Sequence, residues 1–209
     1  LPAAGSGPTS NSCAIIRLHY STLDGCAMAY DAYHDWADWP GYLGASHGEL
    51  LAEFHDCGVL VMKTVINDGL CKQLAHLDVL GIAYEHWTNE MILDQFPLYD
   101  LSCFGPARGL DDPAFGEPTG GEVNGAVFFP QGGYISDPRL ATENIQKAAE
   151  RLGAKFRFNS RVVEVLASAS RVEGVGLDDG TTVGAPVGVN VASDALANLS
   201  SSGVTGGAL

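Results

Sequence analysis

The sequence predicts an α/β protein, and three observations support that class. Helical and strand patterns alternate along most of the 209 residues. Residues 125–160 have the order strand, helix, strand, which fits a right-handed βαβ crossover. Three short apolar segments separated by turn residues then predict an antiparallel meander. Hydrophobic residues make up 46% of the chain and charged residues 17%, a composition typical of a globular protein.

The first part of the chain predicts two helices and a strand. Residues 1–10 are rich in Gly, Pro and Ser and are expected to be unanchored. Residues 22–39 predict a helix, because aromatic and aliphatic side chains share one face. The Pro-Gly pair at 40–41 should end that helix. A second helix is predicted over residues 47–55, followed by a strand at 59–62.

The next stretch predicts a longer helix and then a long loop. Leucines at spacings of three and four predict a helix over residues 68–80. A strand is expected at 82–87. Thr88 should then cap a short helix that ends before Pro97. Residues 99–124 are rich in Gly, Pro and Asp and predict a loop.

The clearest pattern begins after residue 125. Residues 126–129 predict a strand, and Asp137 can accept hydrogen bonds from the free backbone N–H groups of the helix that follows. Pro138 suits the first helical position, where a missing N–H costs nothing. Gly153 should close the helix. Alternating side chains at 154–158 then predict a strand.

The remaining elements are short. Residues 132–134 predict a tight turn near the domain crossover. The meander is expected at 162–166, 171–177 and 181–183, and a final apolar strand at 187–191.

Charge and cysteine content exclude several classes of protein. Eleven Lys and Arg against 25 Asp and Glu give a net charge of -14, which disfavours nucleic-acid binding. No apolar run approaches the ~20 residues of a membrane span. The five cysteines are scattered and form no CxxC pair, which indicates reduced thiols in a cytoplasmic protein. The spacing of His47, His55 and Cys57 matches no recognised metal motif.

Motifs of common catalytic sites are absent from the sequence. No GxGxxG follows a strand, and the segment Gly5-Ser6-Gly7 is too short for a phosphate loop. There is also no GxSxG, HExxH or P-loop motif. The sequence therefore assigns no catalytic residue by motif.

Three segments, taken in order, resemble one known family. They are SNSCAIIRLHY, then FHDCGVLVM with LGIAYEHWTNEMILDQFP, and finally GAVFFPQGGYISDPRLATENIQKAAERLGAKFRFNSRVVEV. Together they resemble the D-amino-acid oxidase-like FAD-dependent oxidoreductases, and within them sarcosine oxidase and dimethylglycine dehydrogenase. The resemblance covers almost all of residues 8–200.

This resemblance implies an incomplete FAD-binding domain of the glutathione-reductase-like type, with a β-meander, and part of an α+β substrate domain with a mixed sheet. Residues 1–42 would belong to the FAD-binding domain, 43–128 to the substrate domain, and 129–209 to the return into the FAD-binding domain. Residues 8–20 and 125–192 should then fold together. The family's GxGxxG unit and C-terminal part are missing, so we expect an internal fragment.

The resemblance also implies site residues. Arg17 matches the arginine that pairs with a substrate carboxylate, although the residue alone would fit an ordinary surface position. His19 and Tyr20 would line the substrate pocket or belong to an aromatic core. The cofactor-binding positions implied are Ser10, Asn11, Ser12, Val162, Ala192 and Ser193. Residues 10–12 would equally suit an ordinary turn, and Ser193 replaces a glycine that normally lies beside the pyrophosphate.

The function implied is FAD-dependent oxidation of a C–N bond in a secondary or tertiary amine or an amino acid, such as sarcosine, dimethylglycine or proline. The flavin would accept the hydride, and oxygen or an electron-transfer partner would reoxidise it. The alternative is a truncated flavoprotein fragment without activity. A glycerol-3-phosphate dehydrogenase is disfavoured, because a phosphate pocket would need more basic residues than Arg17.

Overall fold

The computed structural model describes residues 1–64, 67–168, 171–185 and 187–188. A 3-10 turn covers Pro8–Asn11, and the α-helices are α1 Leu23–Ala37, α2 Trp39–Leu43, α3 Asp68–Leu80, α4 Asn89–Gln95 and α5 Pro138–Arg151. The strands are β1 Ile15–Ile16, β2 Phe54–Asp56, β3 Val59–Met62, β4 Glu85–Trp87, β5 Ala126–Phe129, β6 Gly133–Ile135, β7 Val162–Ser168, β8 Arg171–Leu177 and β9 Thr182–Gly184.

The described strands form three antiparallel sheets of three strands each. Their orders are β1-β6-β2, β3-β5-β4 and β7-β8-β9. The predicted mixed sheet is therefore wrong for the described residues, because every pair in them is antiparallel. Strands β5 and β6 are separated by only three residues and each lies at the centre of its sheet, so this one stretch organises both sheets.

The beginning of the chain folds onto its later part, as predicted. In β1, Ile15 pairs with Tyr134 and Ile16 pairs with Gly133 of β6. The 3-10 turn packs against α5, and the Asn159 N–H donates to the Leu1 carbonyl oxygen at 2.9 Å. The expectation that the first ten residues are unanchored was therefore wrong.

Local signals predicted several elements correctly. Strand β3, helix α3 and strand β5 have the predicted bounds. Thr88 caps α4 by accepting the Met91 N–H at 3.2 Å. Asp137 accepts the N–H groups of Arg139 and Leu140, both at 2.9 Å. The meander of β7, β8 and β9 is also confirmed.

The helix predicted at 47–55 is not formed. Residues 49–53 are irregular and lead into β2. The side chain of Asn144, which is buried in α5, accepts the Ala52 N–H at 2.9 Å and donates to the Leu50 carbonyl oxygen at 3.0 Å. Backbone groups that a helix would have used are thus bonded to a side chain from a distant helix, which favours the extended conformation.

Three further predictions were wrong. Pro40 and Gly41 lie within helix α2, because Asp38 caps a new helix there and Pro40 is in its first turn. Residues 154–158 form no strand, so the predicted βαβ crossover is absent from the described residues. Residues 133–134 belong to β6 instead of a tight turn. The predicted strand at 187–191 lies mostly outside the described residues.

The main core lies between α1, α3 and the sheet centred on β5. Leu18, Leu77, Val127 and Phe129 are each at most 1% exposed there. Burying one such side chain stabilises a fold by about 1.5–3 kcal/mol. Leu18 directly follows Arg17, so the core fixes the backbone next to that predicted site residue.

Two glycines allow three backbone segments to meet at β6. A Cβ atom on Gly133 would overlap the carbonyl oxygen of His55 in β2. A Cβ on Gly132 would lie 2.7 Å from the carbonyl oxygen of Ile16 in β1. Since backbone atoms on both sides are fixed by strand pairing, neither side can move away cheaply.

We expect Gly133→Ala to destabilise the protein by about 3 kcal/mol or more, because the added methyl group forces β2 and β6 apart. Gly69→Ala is the matched control: Gly69 lies in α3 with open space around its Cβ position, so alanine should stabilise by about 0.5–1 kcal/mol. Urea denaturation measures both. Equal stability of the two variants would contradict the close packing at β6.

Candidate functional site

Arg17 follows β1 directly and is exposed to solvent. The central carbon of its guanidinium lies 5.0 Å from the centre of the Tyr20 ring, within the range of a cation–π contact. Across residues 1–64, 67–168 and 171–185, the ion pairs formed do not include Arg17. In a chain with 25 acidic residues, this leaves a guanidinium available for a carboxylate from outside.

His19 lies in the core beside this pair. It is 5% exposed and stacks on Phe129, with ring centres 4.4 Å apart. Its Nδ1 atom is buried and has no hydrogen-bond partner in the described part of the chain. Burial, and secondarily the charge of Arg17, lower the pKa of His19 to about 4. The imidazole is therefore neutral near pH 7 and serves more as a packing group than as a surface pocket residue.

The predicted cofactor turn lies at the other end of β1. The Ser10 hydroxyl donates to the Gly5 carbonyl oxygen, and Asn11 is exposed at the end of the 3-10 turn. Ser12 Oγ accepts the Ala14 N–H at 3.2 Å, which leaves its own O–H free to donate elsewhere. Ser12 is thus a turn residue whose hydroxyl group can still donate one hydrogen bond.

A cavity of about 300 Å³ lies next to this turn. Its walls come from the turn, β1, β6, α1 and α5, and include Thr9, Ser12, Ile15, Trp36, Ile135 and Ile145. The lining is mostly apolar, with hydroxyl groups at the turn. An apolar wall with a few hydroxyl donors suits a flat organic ring with polar edges.

The other predicted cofactor positions are not brought to this cavity. Val162 is the first residue of β7, pairs with Leu177 and is half-buried. Strand β7 packs mainly against β8. Ala192 and Ser193 lie outside the described residues. The structure thus places Arg17 and Ser12 at opposite ends of one short strand and leaves Val162 in the meander.

Sequence reasoning missed a polar network beside β1. The Tyr33 hydroxyl donates to Asp56 Oδ2 at 2.6 Å, and Asp56 Oδ1 accepts the Gly132 N–H at 3.1 Å. Burial, together with the hydrogen bond to Asp56, raises the pKa of Tyr33 to about 12. These residues are 23 and 76 positions apart in the chain, so no local pattern could have found them.

A second, larger cavity of about 660 Å³ was also not predicted. It lies between the stacked indoles of Trp36 and Trp39 and the segment 49–56. Within the described ranges, no group of three or more His, Cys, Asp or Glu side chains is placed to hold a metal ion. No helix of the described residues has the length and apolar content to cross a bilayer.

The amino-acid sequence places the chain in a class of flavin-dependent oxidoreductases. The sequence model of the DAO family, described as FAD dependent oxidoreductase, matches residues 2–207. The chain belongs to this family, and the family's cofactor is FAD.

Solved structures share the fold. L-proline dehydrogenase from P. horikoshii is 18% identical with a TM-score of 0.64, and the match covers 87% of this chain and 42% of that protein. Glycine oxidase from Geobacillus kaustophilus is 17% identical with a TM-score of 0.62, covering 88% and 45%. The chain thus spans less than half the length of either. No protein of curated function matches the sequence.

The described residues fit FAD only in part. The hydroxyl groups of Thr9 and Ser12 beside an apolar cavity suit one polar edge of a flavin ring. The pyrophosphate, however, is normally held by a GxGxxG turn at a helix N-terminus, and no GxGxxG occurs in the 209 residues. The hydroxyl groups at the turn thus have chemistry that suits the edge of such a ring, while the usual phosphate-binding motif is absent from this sequence.

The buried His19 predicts a specific pH dependence. The unfolded chain takes up the proton near pH 6.5, and the folded chain only near pH 4. Protonation therefore favours the unfolded chain, and stability falls as the pH drops from 6.5 towards 4. We expect wild type to lose about 2 kcal/mol from this group between pH 8 and pH 5.

The variant His19→Phe keeps the ring contact with Phe129 but has no proton to gain, so its stability should fall less over the same pH range. Urea denaturation at each pH measures the difference. The exposed His47 provides the control, since His47→Gln should retain the wild-type dependence. Parallel pH profiles for His19→Phe and wild type would contradict the burial of a neutral imidazole.

Proposed function

We propose that these residues belong to an enzyme that oxidises the C–N bond of an amino acid or of a secondary or tertiary amine, with FAD as hydride acceptor. Sarcosine, dimethylglycine and proline-like compounds are the substrate class. The observation on which this rests is the exposed Arg17, stacked on Tyr20 and without an ion pair in the described residues. Family membership supplies the redox cofactor.

Arg17 has the chemistry that a substrate carboxylate requires. The planar guanidinium can donate two parallel hydrogen bonds to one carboxylate, which fixes orientation as well as position. Stacking on Tyr20 limits the rotamers of the arginine, so less entropy is lost when the substrate binds. The buried, neutral His19 between Arg17 and Tyr20 in the sequence adds no charge that would compete for the carboxylate.

We assign the cofactor contacts to the two ends of the chain. The polar turn formed by Ser10, Asn11 and Ser12 would face the flavin ring, and the backbone of Val162 would contact the adenine. Ala192 and Ser193 would lie beside the pyrophosphate. A bound FAD would supply hydride acceptance, and the imine product would then be hydrolysed by water. The chain's own groups hold and orient the substrate.

The domain assignment follows from this proposal. Residues 1–42 and 129–209 would form part of the FAD-binding domain, and residues 43–128 the substrate-side region. A GxGxxG unit outside these 209 residues would complete the pyrophosphate site. We place the enzyme in the cytoplasm, since all five cysteines are free thiols. Oxygen or an electron-transfer partner would accept the electrons.

A second candidate is a flavoprotein fragment without activity. The missing GxGxxG and the serine at position 193 favour it, because a side chain there hinders close approach of backbone to phosphate. This candidate and the enzyme proposal differ in what the parent protein does. They agree that the 209 residues alone bind FAD poorly.

We therefore expect the purified 209-residue chain to hold much less than one FAD per molecule, because most phosphate contacts are missing. Flavin absorbance after gel filtration in excess FAD measures the occupancy. A protein in which the same residues are joined to a strand–GxGxxG–helix unit should retain the flavin. Full occupancy in the 209-residue chain would show that the phosphate site lies within it.

In the flavin-loaded protein, Arg17→Ala should raise KM for the amino-acid substrate at least tenfold. The substitution removes a charged hydrogen-bonded contact, which is worth about 1.5–3 kcal/mol. The control is Arg157→Ala, which removes an exposed arginine paired with Asp179 and should leave KM unchanged. Steady-state kinetics distinguish the two. Wild-type kinetics for Arg17→Ala would remove Arg17 from the substrate site.

A further inference from the structure

Cys26 lies in the first turns of α1 and is fully buried at 0% exposure. Its thiol contacts both polar groups of the Tyr20 backbone. The Tyr20 N–H donates to Sγ at 3.2 Å, and the thiol lies 3.5 Å from the Tyr20 carbonyl oxygen, to which it can donate. One buried side chain thus holds the main chain of a residue six positions earlier.

The segment that joins β1 to α1 is held at two neighbouring points as well. Thr22 caps α1 by accepting the Gly25 N–H at 3.2 Å. His76 of α3 places Nε2 3.3 Å from the Ser21 carbonyl oxygen. The backbone after Tyr20 is therefore anchored to two helices, while Cys26 anchors Tyr20 itself.

We propose that the Cys26 thiol is a positioning group for the substrate site. By fixing the Tyr20 backbone, it places the Tyr20 ring beside the guanidinium of Arg17. Cys26 contacts neither substrate nor cofactor in this proposal and acts only through Tyr20. The inference rests on the proposed role of Arg17 as the carboxylate-binding residue.

The chemistry of the site explains why a thiol suits it. The residue must be small and apolar enough for full burial in the main core, yet offer both an acceptor and a donor. Alanine would fill the position without either hydrogen bond and leave two backbone groups of Tyr20 without their thiol partner. Serine would restore a donor and an acceptor at nearly the same size as alanine.

Chemical modification of Arg17 tests the proposal without any flavin. The rate of Arg17 modification by phenylglyoxal is measured on the folded 209-residue chain, by mass spectrometry of the Arg17 peptide, relative to Arg157. We expect Cys26→Ala to change this rate about two- to fivefold, the factor that corresponds to loss of an exposed cation–π contact. Cys26→Ser should bring the rate back towards wild type. Cys71→Ala, at an exposed cysteine of α3, should have no effect.

A purely structural role would lower the melting temperature of Cys26→Ala and leave the reactivity of Arg17 in the folded protein unchanged. That result would overturn the proposal. If Cys26→Ala does not fold, the isosteric pair Cys26→Val and Cys26→Thr replaces Cys26→Ala and Cys26→Ser. Cys26→Thr should then keep the wild-type rate of Arg17 modification, and Cys26→Val should not. Equal rates in these two variants would overturn the proposal.

A second arm separates this inference from the proposed function. Acetate serves as a simple carboxylate and should protect Arg17 from phenylglyoxal in wild type. Absence of protection contradicts the carboxylate-binding role, while the rates of the Cys26 variants still test the positioning of the Tyr20–Arg17 pair. If acetate protects Arg17 equally in wild type and in Cys26→Ala, Arg17 keeps its carboxylate-binding role, but Cys26 is not a positioning group for it.

Discussion

The close approach of three backbone segments at Gly132 and Gly133 is the constraint on which the structure depends. Strand β6 is the centre of a sheet whose edge strands, β1 and β2, come from the first 56 residues of the chain. Neither edge strand can pair with β6 at this distance if a Cβ atom stands between them. The absence of side chains on two consecutive residues therefore allows the early and late parts of the chain to meet.

This constraint also determines where the candidate site lies. Pairing of Ile16 with Gly133 fixes the end of β1, and Arg17 is the next residue. Asp56 strengthens the same junction, because its carboxylate accepts hydrogen bonds from both the Gly132 N–H and the Tyr33 hydroxyl. Helix α1, strand β2 and the residue before β6 are thus joined around one carboxylate, and Arg17 follows a strand of the same sheet. Rigid support of this kind is what a binding residue needs for precise orientation.

The segments that this chain contains agree with its membership of the family. The chain matches the DAO family over residues 2–207 but spans 42% and 45% of two solved proteins with the same fold. It contains the strand that presents Arg17 and the apolar cavity beside the polar turn. It does not contain a GxGxxG sequence. In the proposed function, substrate contacts and phosphate contacts would therefore reside on different stretches of chain.

The sequence by itself determined the elements whose signals are local. The leucine spacing of α3 and the capping residues Thr88 and Asp137 predicted their elements correctly, because periodicity and caps act within a few residues. The ordered resemblance of three segments also identified the family. Arg17 could be singled out only through that resemblance, since a lone arginine has no sequence signature.

Only the tertiary structure decided the features that depend on distant partners. Residues 49–53 are held in an irregular segment by the Asn144 side chain of a helix about 90 residues later. Gly132 and Gly133 lie just before and at the start of β6, where the backbones of β1 and β2 approach them. His19 is a core residue because Phe129 stacks on it, and Tyr20 is held by the buried Cys26 thiol. The contacts of Asn144, of the two glycines and of His19 join segments far apart in sequence, which no local pattern encodes. The Cys26–Tyr20 contact spans only six residues and depends on the burial of the thiol in the core.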